Sequence, residues 1–112
     1  MKEDPKVQDS TGNVFEDMGV RDAEERLAKA ELARLIRTEI RDRGLSQTEA
    51  AALLGVKQPD VSDLVRGRLS RFGIARLERF LNALDLEIRI QVGPRPEGKV
   101  RAGITVESVK SF

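Results

Sequence analysis

The stretch from Ser46 to Gly67 holds two short helical patterns that are joined only by Gly55, Val56 and Lys57. Glycine adopts a left-handed backbone readily, so Gly55 allows the chain to turn sharply after the first helix. Two helices joined this tightly cannot lie side by side. We therefore expect the second helix to cross the first at a steep angle and to lie exposed on the surface in a fixed orientation.

Local signals mark the ends of both helices. Ser46 and Glu49 have the spacing of a capping box, which opens a helix that ends near Leu54. The second helix is expected from about Gln58 to Arg66. Inward-facing residues are expected on both helices: Ala50, Ala51, Leu53 and Leu54 on the first, and Val61, Leu64 and Val65 on the second.

Apolar residues at three- and four-residue spacing predict one helix before this pair and one after it. The earlier pattern runs from Asp22, a possible cap, to Arg43, and Gly44 can end it. The later helix begins after Gly73. The apolar positions are Leu32, Leu35, Ile36 and Ile40 in the first, and Ile74, Leu77, Phe80, Leu81 and Leu84 in the second.

The composition argues against an enzyme. The chain of 112 residues has no Cys and no His, which removes thiol and imidazole chemistry and the commonest metal ligands. It also has no clustered carboxylates and no phosphate-binding glycine loop, so we expect no catalytic residues, no metal and no cofactor. No apolar run is long enough to span a membrane, and the N-terminus lacks the apolar core of a signal peptide. A cytoplasmic protein is expected.

Charge is unevenly distributed although the chain as a whole is only +1. Residues 1–25 contain eight acidic and three basic residues, whereas residues 26–84 contain twelve basic and seven acidic residues. This division predicts an anion-binding body with an acidic arm, although a solvated surface that happens to segregate its charge would give the same pattern.

The C-terminal part predicts a β-strand. Apolar and polar residues alternate strictly over residues 86–92, with Leu86, Ile88, Ile90 and Val92 on one side. A single strand needs a partner, either the alternating stretch 99–106 or the same strand of a second chain. Residues 93–112 are interpreted as a tail that could contain a second strand.

Several constrained positions of the helix pair resemble the helix-turn-helix of lambda-repressor-like (XRE-family) DNA-binding proteins. Ala51 is small where the second helix crosses, Gly55 makes the turn, and Val61 and Leu64 pin the second helix to the core. The resemblance implies a mainly α fold, a lambda-repressor-like helix-turn-helix bundle with a C-terminal β-strand for dimer pairing. In that family the second helix enters the major groove of double-stranded DNA.

The resemblance also implies roles for individual residues. Gln58 takes the first base-reading position, and glutamine suits adenine because its amide can bond both N6 and N7. Asp63 would either accept a hydrogen bond from cytosine or orient Arg66. The expected base-reading residues are Gln58, Pro59, Ser62 and Asp63, and the expected phosphate contacts are Gln47, Lys57, Arg66, Arg68 and Arg71.

Over residues 12–92 the chain is also similar to HigA-type antitoxins. This likeness implies a bacterial homodimer that neutralises a small basic RelE/HigB-like mRNA nuclease and represses its own operon, associated with the nucleoid when it is bound to DNA. Residues 1–21 would be a flexible acidic arm that docks the toxin through Val14, Phe15 and Met18, residues 22–85 the DNA-binding domain, and residues 86–92 the dimerisation strand. A stand-alone XRE-family repressor without a toxin is the alternative.

Overall fold

The computed structural model describes the backbone of residues 5–109 and the side chains of residues 19–109. Four helices follow one another within residues 5–109. They are α1 (Pro5–Asp42), α2 (Gln47–Leu54), α3 (Gln58–Val65) and α4 (Ile74–Ala83). None of the helices in this part of the chain combines the length and the apolar character that crossing a bilayer requires.

Helix α1 is longer than the sequence pattern predicted. It begins at Pro5 rather than at Asp22 and runs for 38 residues. Asp22 therefore lies inside the helix, where its carboxylate is 3.6 Å from the guanidinium of Arg26 one turn later.

The predicted capping box and glycine turn at the two ends of α2 are confirmed. The Ser46 side chain accepts a hydrogen bond from the Glu49 N–H at 3.0 Å, and the Glu49 carboxylate accepts one from the Ser46 N–H at 2.8 Å. Gly55 follows the helix with a φ of 74°, in the left-handed region. This backbone conformation, which costs glycine little, lets the chain turn sharply between α2 and α3.

The core lies where the four helices meet. Helix α1 packs against α4 and α3, and α2 packs against α3. Ile36 of α1, Val61 of α3 and Leu77 of α4 are fully buried. One predicted inward position is wrong, because Leu53 is 43% exposed while Ala50, Ala51 and Leu54 are buried.

The predicted strand is not found, since no residue in the described range 5–109 belongs to a β-strand. Leu86 and Ile88 pack against the core, but Ile90 and Val92 are 75% and 94% exposed. A strand exists only when a neighbouring backbone satisfies its N–H and C=O groups. The described chain supplies no such neighbour to residues 86–92, and their pairing with a second chain stays a prediction.

Residues 93–109 also form no strand, although they return towards α1. A Cβ added to Gly103 would lie 2.5 Å from a carboxylate oxygen of Glu24, and Val106 packs against the core. The return is preceded by a turn in which the Arg95 guanidinium donates to the Val100 carbonyl at 2.9 Å. The C-terminal segment therefore lies along α1 without forming a strand.

Candidate nucleic-acid interface

Helix α3 presents a polar face away from the core. Val61 and Leu64 are buried beneath it, and Ala51 of α2 is only 5% exposed at the crossing. The outward positions follow the helical period and share one side of α3: Gln58, Pro59, Ser62, Asp63 and Arg66. All four residues predicted to read bases are thus brought together on one surface.

A hydrogen bond between two glutamine side chains joins the start of α2 to the start of α3. Gln47 and Gln58 are the first residues of their helices, and the Gln58 side-chain amide donates a hydrogen bond to the Gln47 side-chain oxygen. A glutamine amide has two donor hydrogens and one acceptor oxygen. Gln58 therefore keeps one donor and its oxygen available, which is the combination that bonds adenine N7 and N6. The Gln47 NH2 group remains available for an anion.

Helix α3 is itself acidic. It contains Asp60 and Asp63 but no basic residue. One nitrogen of Arg71, Nη2, donates to Asp60 Oδ1 at 3.0 Å and to Asp63 Oδ2 at 2.6 Å. These contacts raise the pKa of the Arg71 guanidinium, mainly through the hydrogen bond to Asp63 and then through the one to Asp60. Asp63 is thus paired with Arg71 rather than with Arg66.

Arg76 of α4 also approaches Asp60. Its Nη2 lies 3.5 Å from Asp60 Oδ2. Its guanidinium carbon lies 4.8 Å from the ring centre of Phe72 and 5.4 Å from that of Phe80. Cations over aromatic faces within about 6 Å are attracted by the ring quadrupole. Arg76 is therefore held by two rings and a carboxylate at once.

The other predicted phosphate contacts are differently placed. Lys57, Arg66 and Arg68 are exposed, and none of them forms an ion pair with any described residue. They surround α3, with Lys57 just before it and the two arginines just after it. Their charges are available to an anionic ligand, whereas Arg71 is already engaged.

Sequence reasoning missed Asp60 and Arg76. The signal that could have found them is the charge of α3, because two carboxylates and no basic residue on a helix predicted to approach DNA require compensation from elsewhere. The i,i+3 spacing of Asp60 and Asp63 places both carboxylates on neighbouring positions of the helix surface.

The predicted toxin-docking and dimerisation residues belong to other segments of the chain than α2 and α3. Val14, Phe15 and Met18 fall in α1, but their side chains lie outside the described residues. Leu86, Ile88, Ile90 and Val92 follow α4 along the extended C-terminal segment. Their roles remain predictions.

Comparison with known proteins gives a consistent result. Residues 14–93 match the model of a family described as "Helix-turn-helix domain". A solved structure described as an XRE-family transcriptional regulator is 41% identical, with a TM-score of 0.74 over 79% of this chain and 99% of that one. No curated protein matches the chain.

Proposed function

Because the chain belongs to the XRE family of helix-turn-helix regulators, we propose that it is the antitoxin of a type II toxin–antitoxin pair. It would neutralise a RelE/HigB-like mRNA nuclease and repress its own operon by binding double-stranded operator DNA. Membership of the family carries DNA binding and transcription regulation. The toxin and the homodimer are the parts that the proposal adds.

DNA recognition would proceed through α3 in the major groove. Gln58 would read an adenine with the donor and acceptor that its contact with Gln47 leaves available. Ser62 can donate or accept at the next turn of the helix, and Pro59 can offer only van der Waals contact. Base readout would therefore rest on few residues, so we expect modest specificity from each half-site.

Phosphate contacts would fix the position of α3 on the duplex. Gln47 lies at the start of α2, where the N-terminal end of a helix favours an anion. Lys57, Arg66 and Arg68 flank α3 with charges that form no ion pair among the described residues. Arg71, also predicted from the sequence to contact phosphate, is instead hydrogen-bonded to Asp60 and Asp63.

The observation that carries the antitoxin proposal is the division of charge along the chain. Residues 1–25 hold eight acidic and three basic residues, and they precede a domain in which basic residues outnumber acidic ones by twelve to seven. Oppositely charged surfaces speed and direct association, so an acidic segment complements the cationic surface of an RNA-cleaving toxin. Val14, Phe15 and Met18 would supply apolar contacts within it.

A two-fold dimer would place one α3 on each half of an operator. Residues 86–92 would pair across the two-fold axis, which gives their exposed side chains Ile90 and Val92 a partner. Half-sites would then lie about one helical turn apart, roughly 34–36 Å. The proposal assigns no catalysis to the chain.

The experiment that tests the antitoxin role is native mass spectrometry on the tagged chain, isolated from its own cells with the neighbouring genes intact. A complex with a second, small basic protein is expected. That second protein should cleave mRNA on ribosomes only when it is separated from the antitoxin. A variant lacking residues 1–20 serves as the matched control, and it should bind DNA normally but lose the second chain. A bare homodimer that represses its own promoter would instead establish a stand-alone repressor.

A further inference from the structure

Helix α3, which is proposed to enter the DNA major groove, carries negative charge although DNA is itself negatively charged. Asp60 and Asp63 lie on α3, which has no basic residue of its own, and both carboxylates are at least three-quarters shielded from solvent. A DNA groove is lined by phosphates, so an uncompensated carboxylate near it opposes binding. Whatever neutralises these two aspartates therefore helps to determine whether α3 can approach DNA.

The neutralising group comes from the loop between α3 and α4. Arg71 Nη2 lies 3.0 Å from Asp60 and 2.6 Å from Asp63, so a single nitrogen links two carboxylates one helical turn apart. Arg76 adds a second cation at 3.5 Å from Asp60 and is itself held over Phe72. Phe72 is 1% exposed, so this end of the network is anchored in the core.

We propose that Arg71 is a positioning residue which acts on DNA binding through Asp60 and Asp63, and that it does not act as a phosphate ligand. It cancels the charge of α3 and ties the loop to the recognition helix. This inference rests on the DNA-binding part of the proposed function and is independent of the toxin.

The geometry favours this role over a direct phosphate contact. Arg71 Nη2 is committed to two charge-assisted hydrogen bonds, which are the strong ones in proteins, so only Nε and Nη1 remain for another acceptor. A shift of the guanidinium onto a phosphate would weaken both bonds and expose two carboxylates next to the duplex. Lys57, Arg66 and Arg68 can meet phosphates without any such loss, because they form no ion pair with a described residue.

The test is a mutant cycle on one DNA duplex, selected from a random-sequence library with the wild-type protein. Dissociation constants are measured over a range of salt concentrations for wild type, Arg71→Gln, Asp60→Asn with Asp63→Asn, and all three changes together. Arg71→Gln should weaken binding about tenfold, because it leaves two carboxylates without their counter-charge beside the duplex phosphates. In the background with both asparagines, the same change should weaken binding less than about twofold, since the charges that Arg71 neutralises are gone.

Arg68→Gln is the matched control, because Arg68 lies in the same loop without an ion pair to a described residue. It should weaken binding in both backgrounds and make the negative slope of log K against log salt shallower by about 0.9, the value for one phosphate contact. Arg71→Gln should leave that slope close to the wild-type value. Arg71→Lys should recover only part of the affinity, because an ammonium lacks the planar fork of a guanidinium.

Two results would overturn the inference while the wild type still bound DNA with a steep salt response. One is a loss from Arg71→Gln that persists with both asparagines and comes with the full change in slope, as a phosphate ligand requires. The other is an Arg71→Gln variant that binds the duplex as tightly as the wild type does. A wild type that bound no duplex, or bound it with a flat salt response, would defeat the proposed function itself. Helical circular dichroism and thermal unfolding of each variant identify any loss that comes from misfolding.

Discussion

The helices α2 and α3 and the segment 86–109 both carry clear sequence patterns, yet only the helices have the predicted structure. The hydrogen bonds that open α2 join Ser46 to Glu49, three residues away. The hydrogen bonds of a strand must come from another backbone, wherever that lies along the chain or on another chain. Patterns that are satisfied locally therefore specify structure more completely than patterns that need a distant partner.

Alternation in the C-terminal segment still determines which way side chains face. Leu86 and Ile88 pack against the core, but the next two positions of the same face, Ile90 and Val92, extend beyond it and are exposed. Four predictions compare how much the side chains of the helices and those of the C-terminal segment contribute to stability.

The largest expected effect is in the helical region. Leu64→Ala should lower the free energy of unfolding by about 3 kcal/mol, because it opens a cavity under α3 at a side chain that is 1% exposed. Chemical denaturation followed by circular dichroism measures this loss. The control is Leu53→Ala on α2, where a 43% exposed side chain should cost less than about 1 kcal/mol. Equal losses would mean that the two positions do not differ in packing.

A smaller effect is expected at the turn between the two helices. Gly55→Ala should destabilise the protein by about 1 kcal/mol, because alanine is strained at a φ of 74° even where space is open. Thermal unfolding gives the change. Gly93→Ala is the control in the C-terminal segment, where the added methyl meets nothing and φ is not positive. A neutral result at Gly55 would show that the turn can relax.

The capping box provides the third comparison. Ser46→Ala removes the acceptor for the Glu49 N–H and should cost about 1 kcal/mol. Ser108→Ala makes the same chemical change at an exposed residue of the C-terminal segment and should be neutral. Urea denaturation midpoints for the two variants give the difference, and a loss at Ser108 would indicate that the segment is held more firmly than its exposure suggests.

The smallest effect on unfolding is expected at the exposed apolar positions. Ile90→Ser with Val92→Ser should change the free energy of unfolding of the monomer by less than about 0.5 kcal/mol. If residues 86–92 pair across a two-fold axis, the same variant should shift the population from dimer to monomer in sedimentation velocity experiments. An unchanged dimer would exclude this segment from the interface.

The sequence predicted the parts of the fold whose causes are close along the chain. The capping box, the turn at Gly55 and the extent of α3 were correct, and the polar face of α3 emerged from the helical period alone. The start of α1 was missed because residues 1–13 are polar and lack an apolar period, and the apolar patch Val14, Phe15 and Met18 was interpreted as part of a flexible docking arm.

The network around Arg71 was not predictable in the same way. Its members are separated by up to 16 positions, from Asp60 to Arg76, and they meet because the loop after Gly67 folds back over α3. Helical period indicates that Asp60 and Asp63 are neighbours on the surface. It does not indicate which of the following arginines reaches them, since that depends on the path of the loop.

The links from α3 to its surroundings limit how its DNA preference can be redesigned. Gln58 depends on Gln47 from the preceding helix, and the two aspartates depend on Arg71 and Arg76 beyond the following loop. Grafting residues 58–65 alone onto a related scaffold would leave an acidic peptide with no counter-charge and a glutamine with no support. The transferable cassette is the whole stretch 46–80, which carries the reading face together with the groups that make it usable.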